Sequence, residues 1–286
     1  MINALTVDVE DYFHVQAFAH KVNPRDWHAF EYRATANTER LLEMFETRGL
    51  RATFFVLGWV AEKAPELVRR IAGAGHEVAC HGLDHQLVYN QTPEVFRRDT
   101  MRSKRLLEDI TGQAVLGYRA ATYSITRRSL WALDILAELG FAYDSSIFPV
   151  RHDFYGIPDA EPGPGVITSP AGHRLVEFPL SVASVFGARV PVSGGGYFRI
   201  LPLWFTLYGL RSVNRKDRRP FVFYLHPWEI DPGQPSIGAG WKSRLRHYTN
   251  LHRTSARLAR LLDEFRFSTM ADVLAVNGLL PARAAA

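Results

Sequence analysis

Two short stretches of the chain carry residue types that could hold a metal ion and use it. His81-Gly82-Leu83-Asp84-His85 places two imidazoles four residues apart. On a helical turn that spacing puts both on one face, within reach of one ion. Asp8-Val9-Glu10-Asp11 adds three carboxylates, and in an extended strand Asp8 and Glu10 lie on the same side. Two histidines and one carboxylate make a facial site with open positions, as catalytic zinc and related divalent metals use. A surplus carboxylate beside them can act as a base. The His pair alone is weak evidence, and the acids of the first strand raise it above two structural histidines. The chemistry indicated is metal-dependent hydrolysis.

These residues need a scaffold, and the sequence reads as alternating strands and helices. Ala4 to Val9 is a buried strand ending in acids, Ala52 to Leu57 a second, and Glu77 to Cys80 a third with His81 at its end. Further strands are expected at Val115–Tyr118, Phe141–Tyr143, Leu175–Phe178 and Phe221–Leu225, the last followed by His226. Helices are expected over 38–48, 64–72, 93–111, 128–139, 201–211 and 244–265, with Thr92 as N-cap before Pro93 in the third. In the sixth, Leu258, Leu261 and Leu262 face inward. Residues 148–172, rich in Pro and Gly, read as a long loop, and 282–286 as a frayed tail. Strand–helix units with short connections imply a parallel sheet. Asp8, His81, Arg119, Asp144 and His226 then all fall at C-terminal strand ends, which share one face in a parallel barrel, the face where chemistry sits. No linker divides the chain, so one domain is expected over residues 1–286.

Composition narrows the class. The chain has 286 residues, 47% hydrophobic and 22% charged, enough for a sizeable core. No apolar run is long enough to span a bilayer, and the N-terminus lacks the pattern of a signal peptide. Cys80 is the single cysteine, so no internal disulfide can form, and it reads as a buried thiol. The formal charge is +5, with basic residues concentrated late: Arg211, Arg215, Lys216, Arg218 and Arg219, then Lys242, Arg244, Arg246, Arg253, Arg257 and Arg260. The plain reading is a solvated face; the sharper one is contact with lipid headgroups or an acidic glycan. No nucleic-acid-binding pattern accompanies the charge, so nucleic acid is not an expected partner. Trp204, Leu207 and Tyr208 read as a core-facing helical stripe, with a membrane anchor as the alternative.

Taken in order, the motifs resemble the polysaccharide deacetylases of carbohydrate esterase family 4, which deacetylate chitooligosaccharides and peptidoglycan. The resemblance runs from residue 1 to about 275. It rests on Thr6-Val7-Asp8-Val9-Glu10-Asp11, His81-Gly82-Leu83-Asp84-His85, Arg119-Ala120-Ala121-Thr122-Tyr123, a fourth motif starting at Asp144, and Leu225-His226-Pro227. Asp8-Val9-Glu10-Asp11-Tyr12-Phe13-His14, Gly194-Gly195-Gly196-Tyr197-Phe198-Arg199 and His226-Pro227-Trp228-Glu229 are similar to a bacterial subgroup tied to exopolysaccharide loci, often beside exosortase systems. The resemblance implies a distorted, partly open (β/α) barrel. It implies an enzyme that removes N-acetyl groups from an amino-sugar polysaccharide or its precursor. Its cofactor would be a divalent metal, zinc first, with Co2+, Ni2+ or Mn2+ as alternatives.

By the same resemblance Asp8 is the base and His226 the acid. Arg119 holds Asp8 ionised and in place. Asp144 orients His226 and raises its pKa, and a backbone N–H near Tyr123 stabilises the oxyanion. The chain departs from the family in three places. The family has adjacent aspartates in its first motif, but Val9 follows Asp8 here. The third metal ligand is then Glu10, favoured by strand alternation, or Asp11, favoured by a bend at the strand end. Ala121 stands where proline is usual. The tryptophan usual after the fourth-motif aspartate is absent, with Ile147 and Phe148 nearby and Trp228 as the substitute aromatic wall. His14, His152 and Asp153 are candidates for lining the sugar site. The expected partner is an N-acetylated glycan, with action in the cytoplasm or at the inner face of the membrane, through peripheral contact with the membrane or a lipid-linked glycan; no oligomeric state is assigned. Two alternatives stand beside this reading: a same-fold hydrolase of a small cyclic amide or imide, and a non-catalytic carbohydrate-binding module.

Overall fold

The computed structural model describes residues 1–238 and 240–282, with only the backbone of Lys242. Residues 283–286 of the expected tail lie outside the described residues. The first half is a strand–helix alternation: β1 (Ile2–Val9), α1 (Ala34–Glu46), β2 (Thr53–Val56), α2 (Gly58–Lys63), α3 (Pro65–Gly73), β3 (Glu77–Cys80), α4 (Pro93–Thr111), β4 (Gly117–Tyr118), α5 (Trp131–Glu138) and β5 (Tyr143–Asp144). It continues with β6 (Gly165–Thr168), β7 (Arg174–Glu177), β8 (Val182–Val185), β9 (Ala188–Pro191), α6 (Gly195–Ile200), α7 (Leu203–Arg215) and β10 (Val222–Leu225). Last come α8 (Trp241–Tyr248), α9 (Leu251–Glu264), β11 (Arg266–Ser268) and α10 (Met270–Val276).

The main sheet runs β10-β1-β2-β3-β4-β5-β7-β6, with β11 also on β1. All its pairings are parallel except β6–β7. β6 and β10 are its two ends and do not pair, so the barrel is α/β and open at one seam. Alternation along the strands sorts the side chains. Leu5, Val7, Val9, Phe54, Val56 and Phe223 face the helical layer and form one core. Ala4, Phe55, Ala79, Val222 and Tyr224 face inward, where they pack with Met270 and Leu274 of α10. On β1 this period places Thr6 and Asp8 inside the barrel with Ala4.

Several elements differ from the sequence reading. The expected helix 244–265 is two helices, broken where Asn250 adopts φ +58. The break turns the carbonyls of His247 and Thr249 toward the buried Arg199 guanidinium, at 2.6 and 3.2 Å. The long loop contains β6, which pairs back on β7 as a hairpin. β8 and β9 form a separate two-stranded hairpin that the sequence reading did not contain. The Trp204–Leu207–Tyr208 stripe does not face the core as a unit: Leu207 is buried, while Trp204 and Tyr208 are exposed.

Candidate active site and metal centre

Glu10, His81 and His85 offer ligand atoms within 4.8 Å of one another; Glu10 and His81 are buried, and the His85 side chain is 6% exposed. His81 follows β3 with the same inward phase as Ala79. Its Nδ1 donates to the carbonyl of Arg119 at 2.8 Å, which leaves Nε2 with its lone pair toward the site. His85 does not share a helical turn with His81, contrary to expectation. Residues 81–85 form an irregular loop, with Gly82 at φ +80 and His85 at φ +56. The backbone N–H groups of Gly58 and Trp59, in the first turn of α2, donate to Gly82 and Leu83 carbonyls at 2.9 and 2.8 Å and fix that loop. Glu10 Oε2 lies 2.7 Å from His85 Nε2 but has no hydrogen bond of acceptable geometry. Buried acceptor atoms converging this closely suit a cation between them, so the donor set fits a divalent metal.

The open choice between Glu10 and Asp11 resolves on geometry. Asp11 is not a ligand. Its Oδ2 accepts from the backbone N–H of Arg33 and Ala34, at 2.6 and 2.7 Å, where α1 begins, and its Oδ1 accepts from Tyr12 N at 2.9 Å. It therefore caps α1. Burial pushes its carboxyl up to about 6, against the lowering effect of those donors. At Glu10 burial also raises the carboxyl, but His85, His226 and His81 outweigh it and hold the group well below the usual carboxylate range.

Asp8 sits beside this cluster. Arg119, fully buried, donates to Asp8 Oδ1 at 2.6 Å and to Thr6 Oγ1 at 2.8 Å. Its guanidinium lies over the Phe55 ring at 4.1 Å and also bonds Ser145. Asp8 Oδ2 is left facing the cavity, 3.3 Å from the Tyr123 hydroxyl and 3.9 Å from His226 Nε2. His226 also lies 3.4 Å from Glu10 Oε1.

The partner of His226 is not Asp144. Asp144 accepts from the Ser146 hydroxyl at 2.6 Å and shares its buried environment with Glu177, with both carboxyls pushed up by desolvation. Glu229 Oε1 instead accepts from His226 Nδ1 at 2.7 Å and from His226 N at 3.0 Å. Glu229 Oε2 accepts from Arg199 Nε at 2.6 Å. Burial would raise Glu229, but Arg199 and His226 outweigh it and hold it at about 2. Burial would lower His226, but Glu10, Glu229 and Asp8 outweigh it and lift the imidazole to about 9. Glu229 and Arg199 were missed as site residues, although both stood in motifs quoted above. The spacing His-x-x-Glu around Pro227 is a capping-box pattern, and that was the available signal.

The remaining expectations divide. Tyr123, Tyr155, Tyr224, Gln16 and Thr122 line a cavity of about 140 Å³ with Asp8 and the metal cluster. The Tyr123 N–H is already bonded to Ala120 O at 3.0 Å, so that group is not an oxyanion donor. Thr122 and Tyr123 both hold left-handed backbone, φ +52 and +53, which costs about 1–3 kcal/mol per residue and marks a segment held by its surroundings. His14 does not line the cavity. It is packed against Trp27 and Trp59, and its Nδ1 accepts from Asp11 N at 2.8 Å. His152 stacks flat on Tyr155 at 3.9 Å and so acts one residue back from the cavity, and Asp153 is exposed. Trp228 reaches the cavity but, at 4% exposure, offers a sugar no open ring face. It stacks with His226 and His247 instead, and its Nε1 donates to Glu10 at 3.4 Å. Tyr155, backed by the buried Phe148, supplies the aromatic wall.

Comparison with known proteins fits this arrangement. Residues 26–143 match the family model described as polysaccharide deacetylase, and residues 145–275 match a domain of unknown function, DUF3473. The main sheet crosses that boundary without a break, through the β5–β7 pairing. A peptidoglycan deacetylase of Helicobacter pylori is 33% identical over 115 residues, 40% of this chain and 38% of its own length. A chitooligosaccharide deacetylase of a Bradyrhizobium species is 31% identical over 100 residues, 35% of this chain and 43% of its own. The matches thus span about two fifths of those relatives. A Mycobacterium smegmatis crystal structure, provisionally described as a polysaccharide deacetylase, superposes with a TM-score of 0.61 at 21% identity, covering 99% of this chain and 94% of that one. That likeness establishes the shared fold.

Proposed function

We propose, from the premise that this chain carries a polysaccharide deacetylase domain, that it is a metal-dependent hydrolase removing N-acetyl groups from an amino-sugar-containing glycan. The observation that carries the reading is the convergence of Glu10, His81 and His85 beside a clamped Asp8 and a carboxylate-backed His226. A divalent cation held by those three residues would supply Lewis acidity, acidifying water and polarising the amide carbonyl; zinc suits the ligand set first, and Co2+, Ni2+ or Mn2+ after it.

The chain's own groups do the rest. Asp8 Oδ2 accepts a proton from the attacking water, while Arg119, itself anchored on Thr6, keeps the carboxylate aimed. His226 Nε2 donates a proton to the amine nitrogen as the C–N bond breaks, a step needed because an amide anion leaves poorly. Glu229, itself fixed by Arg199, holds the imidazolium in orientation. Water and the N-acetyl group become acetate and a free amine. Tyr155 and Tyr224 flank a cavity small enough to take the acetamido group and leave the rest of the sugar at the mouth.

The motif likeness supports a glycan or precursor of bacterial exopolysaccharide synthesis as the substrate; peripheral membrane contact is part of the same proposal. The test is acetate release from a panel of N-acetylated glycans, with and without chelator and after metal return. In Asp8→Asn, metal should stay bound while acetate release is lost. Unchanged release in that variant would remove Asp8 as the base.

A further inference from the structure

The β8–β9 hairpin turns on Phe186 and Gly187, with φ +49 and +80. A two-residue turn with both residues left-handed favours Asn-Gly. Phenylalanine is strained there, and its ring is fully exposed. The hairpin lies along α7. Val182 O accepts from Arg219, beyond the C-terminal end of α7, and the Ala183 side chain packs at Gly209. The hairpin therefore runs toward the N-terminal half of α7, where Trp204 stands exposed with Tyr208 one turn on. At 100° per residue Arg211, paired with Glu264, and then Arg215 continue the same stripe, and Lys216 follows just past the end of α7. Arg215 and Lys216 are exposed, and neither has an acidic partner among the described residues.

We infer that this face docks on an anionic phospholipid surface. Single exposed apolar side chains, with exposed and unpaired cations on the same helix and at its end, suit a bilayer. The Phe186 ring enters below the headgroups, Trp204 and Tyr208 sit at headgroup level, and Arg215 and Lys216 meet phosphates. A protein partner would have to bury those cations or supply acids to them. No described helix is long and apolar enough to cross a membrane, so this contact is peripheral. The inference gives a place to the membrane contact in the proposed function, and it does not depend on the reaction.

The experiment is co-sedimentation of the full chain with vesicles of phosphatidylcholine alone or mixed with phosphatidylglycerol. Partition should favour the mixed vesicles by about tenfold and fall with salt. Phe186→Asn with Trp204→Gln should lower it by about tenfold, and Arg215→Glu with Lys216→Glu should abolish the preference for anionic lipid. Asn suits the left-handed turn, so Phe186→Asn should melt no lower than the parent, which separates lost docking from lost folding. Acetate release from a soluble glycan should stay at the parent level in every variant, so failure of docking and failure of the deacetylase reading are distinguishable. Absence of binding to mixed vesicles at low salt overturns the inference. So does parent-like binding by the aromatic variant, or a parent dimer that the aromatic variant makes monomeric.

Discussion

Glu10 and Asp11 are neighbours in the chain, and replacing each in turn should separate metal binding from folding. In Asp11→Ala three backbone N–H groups lose their acceptor: those of Tyr12, Arg33 and Ala34. A buried donor left unpaired costs about 1–3 kcal/mol. Arg33 is only half-buried and water can reach the start of α1, and the aspartate itself is penalised by burial, its carboxyl lying at about 6. The cost should therefore fall near the lower end of the sum, about 3 kcal/mol. The donor set of Glu10, His81 and His85 is untouched, so metal should still bind. Glu10→Gln should do the reverse. It removes a charged ligand, so affinity should fall by more than the ~10–100-fold that outer partners of a metal site typically cost. Its stability in chelator should change less than that of Asp11→Ala. Urea unfolding followed by tryptophan fluorescence in chelator reads the first quantity, and metal content after dialysis against buffered zinc reads the second. An Asp11→Ala protein as stable as the parent but unable to hold metal would refute the assignment, as would a Glu10→Gln protein that binds zinc as tightly as the parent.

Two further outcomes follow from the carboxylates around the site. Glu229→Gln should lower turnover by about 100-fold or more with metal still bound, because the imidazolium loses its charged partner; Asp144→Asn should stay within about tenfold of the parent, since Asp144 does not touch His226. Equal losses in the two variants, read as steady-state acetate release, would argue against the Glu229 assignment. The buried Asp144–Glu177 pair also makes stability depend on pH. Both folded-state pKa values lie above the ordinary 3.8 and 4.5, so the folded chain holds protons that the unfolded chain releases. That stabilising contribution is complete below those ordinary values and is lost as pH rises through the raised ones. Glu177→Gln should flatten the decline, which melting temperatures from acid to alkaline pH would reveal; an unchanged slope would exclude the pair as its source.

Much of the architecture was legible because parallel strands advertise themselves by short apolar runs followed by polar residues. Asp8, His81, Arg119 and His226 all stood at such ends, and the sheet brings them together. Strand alternation also favoured Glu10 over Asp11, since the period that turns Asp8 inward carries on to Glu10. The failures have local causes. A four-residue spacing between His81 and His85 says nothing of backbone type, and Gly82 at φ +80 with the N-terminus of α2 decides for a loop. Asp144 was assigned through the family resemblance, whereas the carboxylate three residues after His226 lies on a short turn that carries it back to the ring. Arg199 is 30 positions from Glu229, beyond any local pattern. The 244–265 periodicity runs through Asn250 because the helical break is imposed by Arg199, a tertiary contact. The β8–β9 turn was invisible because Phe186-Gly187 lacks the usual turn chemistry.

The position of β1 has a consequence for the order in which the site can be made. β1 pairs with β2 early in the chain, but its β10 partner comes far later: Thr6 and Phe223, hydrogen-bonded to each other, are 217 positions apart. At ribosomal speeds of about 5–20 residues per second, the strand carrying Asp8 waits roughly 10–40 s for that neighbour. During that interval Leu5, Val7 and Val9 have one open strand edge beside them, a template for pairing with another nascent chain. Production of active protein should thus respond to translation rate and to chaperone supply more than the stability of the finished fold would suggest. A version whose chain is reordered to begin just before β10 would place β1's two neighbours on a shorter schedule.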